Sequence, residues 1–135
     1  MGKISDLYNK FEAERNAALM DAAIEKEIEN LDYEISLFQS AINGLCPQNI
    51  DNIILVDNKK FLIVFDDFLD LLDIVNLDMP EGIEIYGDDY GVQITINDNC
   101  PERLDEHFEA IVKSVESAIN DRKRQIEELV GKKTS

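Results

Sequence analysis

The chain has 135 residues, of which 44% are hydrophobic and 31% charged, and its 29 acidic residues against 13 basic ones leave a net charge of −16. That length predicts one folded domain with a modest core. The charge excludes bulk attraction to DNA, RNA or an anionic membrane surface, and it favours basic partners such as nucleic-acid-binding proteins.

The first residues, MGKISDLYNKF, lack the apolar core of a signal peptide, and no run approaches the length of a membrane span, so a cytoplasmic protein is expected. Ser5 is positioned to cap a helix that begins at Asp6. No Gly or Pro interrupts the stretch from Lys3 to Asn43, and Gly44 followed by Pro47 makes a stop signal. A helix over 6–45 would be about 57 Å long. Within it Ile24, Ile28, Leu31, Ile35, Phe38, Ile42 and Leu45 recur at steps of 4 and 3. This heptad spacing keeps one apolar stripe against a partner helix. The partner is expected to be either the second long helix or a second copy of the chain, so a homodimer or higher oligomer through these seven residues is predicted. Upstream, Leu7, Tyr8, Phe11, Ala18, Leu19 and Ala22 keep a helical period in a different register, so the first third of the helix is expected either to pair differently or to fray.

Residues 48–99 read as a compact head. Asn52–Val56 and Lys60–Phe65 are short β-branched and aromatic runs joined by Asp57-Asn58-Lys59, a tight connection in which Asn tolerates positive φ. Asp66 or Asp67 is expected to cap a short helix through Leu77, which Pro80 and Gly82 close. Ile83–Tyr86 and Val92–Ile96 form a second strand pair around the loop Gly87-Asp88-Asp89-Tyr90-Gly91. The alternation of Val92, Ile94 and Ile96 with Gln93, Thr95 and Asn97 predicts a sheet with one wet face. After Asn97-Asp98-Asn99, Pro101 suits the first turn of a second helix over 101–130, with Gly131 as its stop and 131–135 as a tail. The fold class expected is α+β: two long, coiled-coil-like helices, antiparallel, flanking a small antiparallel ββαββ head in a single domain, 1–135. In that arrangement Arg122, Lys123 and Arg124 approach Glu12, Glu14 and Asp21.

The head holds 12 acidic residues and 2 basic ones. On a helix, Asp66, Asp70 and Asp73 would share one face at i, i+4 and i+7. With Asp88, Asp89 and Tyr90 of the hairpin loop they are the candidate partner-binding residues. The carboxylates do not converge as a metal site requires, and the Gly87–Gly91 loop lacks the twelve-residue calcium pattern. His107 stands too far from Cys100 to share a zinc. No Ser, Cys or His is tied to a catalytic set, and no glycine-rich phosphate loop is present. No catalytic residue, metal or cofactor is therefore expected. The function predicted is non-enzymatic binding of a basic protein, in its concrete form an inhibitor whose carboxylates imitate nucleic acid, as small acidic proteins of phages and mobile elements do. An assembly or substrate chaperone is the alternative, and a metal-dependent hydrolase a remote third.

Overall fold

A computed structural model describes residues 2–66 and 69–133. Helix α1 spans Lys3–Gly44, strands β1 to β4 span Asn52–Val56, Lys60–Asp66, Ile83–Asp88 and Gly91–Ile96, and helix α2 spans Leu104–Lys132. Short 3₁₀ segments occupy Pro47–Asn49, Leu69–Ile74 and Pro101–Arg103. The architecture is an α+β mixture of a long N-terminal helix, a four-stranded antiparallel sheet and a C-terminal helix. No described helix is long and apolar enough to cross a membrane.

The strand order is β1-β2-β4-β3. The two predicted pairs therefore join through β2 and β4 into one sheet, with Phe61 opposite Ile96, Ile63 opposite Ile94 and Phe65 opposite Val92. These six side chains point to one face and are buried, as the period of two requires. On that face the sheet meets Leu71 and Ile74 of the 3₁₀ segment, Ile35, Phe38 and Ala41 of α1, and Ile111, Val115 and Ile119 of α2. At the other face Gln93 is exposed and Thr95 half-buried.

Several boundaries differ from expectation, each for a local reason. The Asp57 and Asn58 turn does form, with φ of 55° and 57° and the Lys59 amide donating to the Val56 carbonyl at 3.0 Å. The expected five-residue loop at 87–91 shrinks to two residues, because Gly87 and Asp88 continue β3 opposite Val92 and Gly91. Gly87 is strand, not turn: a Cβ there would collide with the Leu72 side chain and come within 3.1 Å of Val75, so its lack of a side chain lets the 3₁₀ segment lie close. The helix expected between the strand pairs is that six-residue 3₁₀ segment. Asp67 and Phe68 lie outside the described residues. α1 starts at Lys3 without the Ser5 cap, and α2 runs through Gly131 to Lys132. Space around Gly131 is open, so nothing there forces the chain to leave the helix.

α1 and α2 run antiparallel. Arg122 Nε donates to Glu34 Oε2 at 2.7 Å and Lys133 Nζ to Glu25 Oε1 at 3.2 Å, so positions rise along one helix as they fall along the other. Of the expected basic cluster, Arg122 reaches Glu34, while Arg124 pairs with Asp121 on its own helix. The first turns of α2 join the core through Leu104, Phe108 and Ile111, and α2 reaches its end opposite Glu25. Residues 3–23 of α1 extend beyond it, an overhang of about 31 Å at 1.5 Å per residue.

Candidate binding groove

The edge strand β1 decides where the site lies. Ile53 and Leu55 pair with Ile63 and Phe61, which places them on the same face of the sheet as the core. Yet Ile53 is 45% exposed and Leu55 41%, whereas Ile63 and Phe61 are buried. The two helices and the 3₁₀ segment together cover the core face of β2 and β4, and the 3₁₀ segment lies over β3 at Gly87, but none of them covers β1. Between this uncovered strip and the flank of α2 lies an open groove of about 790 Å³, floored by Leu45, Ile50, Ile53, Leu104, Phe108 and Val112. Asp105, Glu109 and Glu116 stand on its α2 rim together with Lys113. They follow from helix spacing: residues three and four apart share a side, so α2 presents an apolar row and a charged row next to each other. The volume falls in the range of sites that hold small ligands or the anchors of a docked helix. Part of the strand edge is closed, since the Ile53 amide donates to the Asn52 side-chain oxygen at 2.9 Å. That satisfies a donor which strand addition would otherwise use.

At the end of β4 lies a charged cluster that sequence reasoning did not single out. Asp98 Oδ1 accepts from the amides of Asn99 and Cys100 at 2.7 and 3.1 Å and from Arg103 Nη2 at 2.6 Å. Its Oδ2 accepts from Arg103 Nε at 2.7 Å and from His107 Nε2 at 2.8 Å. The Arg103 guanidinium first, and His107 second, hold the Asp98 carboxyl far below the ordinary carboxylate range, and Asp98 in turn raises Arg103. Cys100 Sγ donates to Glu102 Oε2 at 3.0 Å, which lowers Glu102. The cluster ties β4 to the start of α2 and so sets the angle of the helix that forms the groove wall. The only sequence signal for it is Asn97-Asp98-Asn99 ahead of Pro101 at the start of the second helix. The distant partners, five and nine residues on, meet Asp98 only once the chain turns into the helix.

The predicted site residues are placed as follows. Of the heptad residues, Ile24, Leu31, Ile35, Phe38 and Leu45 are buried and Ile28 and Ile42 half-buried within the single chain. Arg122 roofs this seam, its guanidinium 4.6 Å from the Phe38 ring centroid. The acidic ridge on one helix face is not formed. Asp66 is the last residue of β2, opposite Gly91. Asp70 and Asp73 fall in the 3₁₀ segment, whose three residues per turn keep positions 70 and 73 in line, so it is Asp66, on the strand, that leaves the row. The side chains of Asp66 and Asp70 lie outside the described residues, while Asp73 is exposed. Asp88, Asp89 and Tyr90 are all exposed at the β3–β4 turn, Tyr90 at 81%. The Tyr90 amide donates to Asp88 Oδ1 at 2.8 Å, so Asp88 shapes the turn. Cys46 and Cys100 are free thiols, and Cys46 Sγ accepts from Asn49 Nδ2 at 3.1 Å. Among the described residues no three His, Cys, Asp or Glu side chains converge as a metal site would need.

Comparison with known proteins gives no match: no family model, no curated protein and no solved structure is similar to this chain.

Proposed function

We propose that this protein is a non-catalytic binding module that takes a basic, amphipathic helix of another protein into the groove between α2 and β1. The observation that carries the reading is the uncovered inner face of β1: Ile53 and Leu55 remain exposed where their partners Ile63 and Phe61 on β2 are buried. Filling such a patch removes apolar area from water at about 25 cal/mol per Å². The three carboxylates on the rim against one ammonium select cationic residues on the flanks of the incoming helix. A helix suits the groove better than a strand, because the Ile53 edge amide already has its acceptor.

The test uses a fluorescent peptide with leucines at i, i+3, i+4 and i+7 and lysines on both flanks, followed by anisotropy. Saturable binding is expected, lost in Ile53→Glu and weakened in Glu109→Lys. A scrambled peptide of equal charge is expected to bind at least tenfold more weakly. Equal binding of the two peptides would transfer the activity to charge alone. That outcome favours the second reading, an inhibitor that imitates nucleic acid. Its support is the 12 acidic residues of the head and the exposed Asp88-Asp89-Tyr90 turn. In that case affinity falls steeply with salt and is lost on neutralising Asp73, Asp88 and Asp89.

A further inference from the structure

The overhang of α1 carries apolar side chains beyond the reach of the helix pair. From Gly2 to Ala23 no residue is buried, and Ile24 is the first that is. Ile4 is 84% exposed, Leu7 49%, Tyr8 58% and Phe11 50%. At roughly 100° per residue these four side chains cluster on one face. Carried back from Ile24 at its heptad spacing, the seam takes in Leu7, while Ile4, Tyr8 and Phe11 fall to one side of it. They form a stripe beyond the reach of the chain's own second helix, which ends opposite Glu25.

We infer that this stripe docks into the α2–β1 groove of a second copy, so that two chains exchange their N-terminal helix ends. The inference rests on the groove's preference for an amphipathic helix with cations beside its apolar face. Residues 3–15 carry Lys3, Lys10 and Arg15 against Asp6, Glu12 and Glu14, a net of zero in a chain of net −16. By the same helical geometry Arg15 falls on the stripe between Phe11 and Tyr8, Lys3 and Glu14 stand beside Leu7, and Asp6 falls on the far side. Lys3 and Arg15 match Asp105, Glu109 and Glu116 on the groove rim, and Glu14 matches Lys113.

Reach decides that the groove belongs to another copy. Phe11 lies 34 residues from Leu45 along one continuous helix, about 50 Å at 1.5 Å per residue, and no Gly or Pro between Lys3 and Asn43 lets that helix fold back. An antiparallel pair of chains brings each stripe to the other's groove. Two equal contacts then close the assembly under two-fold symmetry. Each contact need supply only half of the roughly 1,600 Å² typical of a stable interface.

Sedimentation velocity at micromolar concentration tests this on the full chain. The unmodified protein is expected to be a dimer. The stripe variant Leu7→Asp/Phe11→Asp and the groove variant Ile53→Glu are each expected to be monomers with unchanged far-UV circular dichroism, since the altered side chains are exposed. Glu109→Lys, on the exposed rim, is expected to weaken the dimer at least tenfold without touching the fold. An unmodified protein that is monomeric, or a dimer that survives both Ile53→Glu and Glu109→Lys, overturns the inference. In a second arm, isotope-labelled stripe variant, with an intact groove, is titrated with unlabelled groove variant, with an intact stripe. Amide shifts at Ile53 and Val112 are expected, and no shift up to millimolar concentration overturns the exchange. The basic peptide separates this from the function proposed above. Peptide binding to a monomeric protein removes the exchange and keeps the function. A groove-dependent dimer whose stripe variant ignores the peptide does the reverse.

Discussion

Asp98 joins the last strand to the returning helix through a charge, and that makes the joint pH-dependent. Its folded-state carboxyl is depressed by Arg103 and His107, so its contribution to stability is complete above the ordinary carboxylate pKa of about 4 and declines as pH falls below it. The melting temperature of Asp98→Asn is therefore expected below that of the unmodified protein at pH 7, with the gap narrowing as pH drops under about 4. A gap that stays constant to pH 2 would remove the charge from the explanation. Phe38 is a residue-scale test of the helix pair. It is buried under Arg122, and Phe38→Ala is expected to cost about 3–5 kcal/mol in urea unfolding, the range for a large aromatic truncated in a core.

At the scale of elements, two glycines inside regular structure make opposite predictions. Gly131 is helical with open space around it. Gly131→Ala is expected to stabilise by up to about 1 kcal/mol, since alanine loses less backbone freedom on folding. Gly87 lies beneath Leu72 and Val75, and Gly87→Ala is expected to destabilise by about 1–3 kcal/mol through overpacking. Matched denaturant curves of the two variants check both signs. α1 itself divides at Ile24. C-terminal to that point Ile35→Asp is expected to lose more than about 3 kcal/mol, because it places an unpaired charge in the dry seam. N-terminal to it Ile4→Asp is expected to leave the monomer's melting temperature nearly unchanged.

For the whole molecule the governing quantity is the charge of −16. Self-repulsion on this scale opposes compactness. Raising ionic strength from 0.01 to 0.15 M shortens the screening length from about 30 to 8 Å, and the melting temperature is expected to rise. Over the same range the affinity for a lysine-flanked helix is expected to fall, because the rim contacts are screened while the apolar floor is not. Calorimetric melts and anisotropy titrations in one salt series check the opposed trends.

The long helices, the seam and four of the strand centres were legible because each depends on local periodicity. Ile24 to Leu45 keeps its 3–4 spacing without a break, and Val92 to Ile96 alternates cleanly, so backbone geometry alone assigns their faces. The segment from Asp66 to Leu77 was not legible in this way. It is apolar on most sides, and close packing under Gly87 selects a 3₁₀ turn over a longer helix. The groove was invisible for a different reason. Ile53 and Leu55 have the same character and spacing as Ile63 and Phe61, and only the lateral extent of the helical roof leaves one pair exposed and the other dry. The shift of register before Ile24 was legible too, and the sequence alone also determined the acidity and the helical lengths. Folding determined which strand became the edge, that the heptad seam is buried inside one chain, and that the early stripe stays exposed. Those outcomes depend on how far each element reaches over its neighbours, a non-local quantity that no window of residues contains.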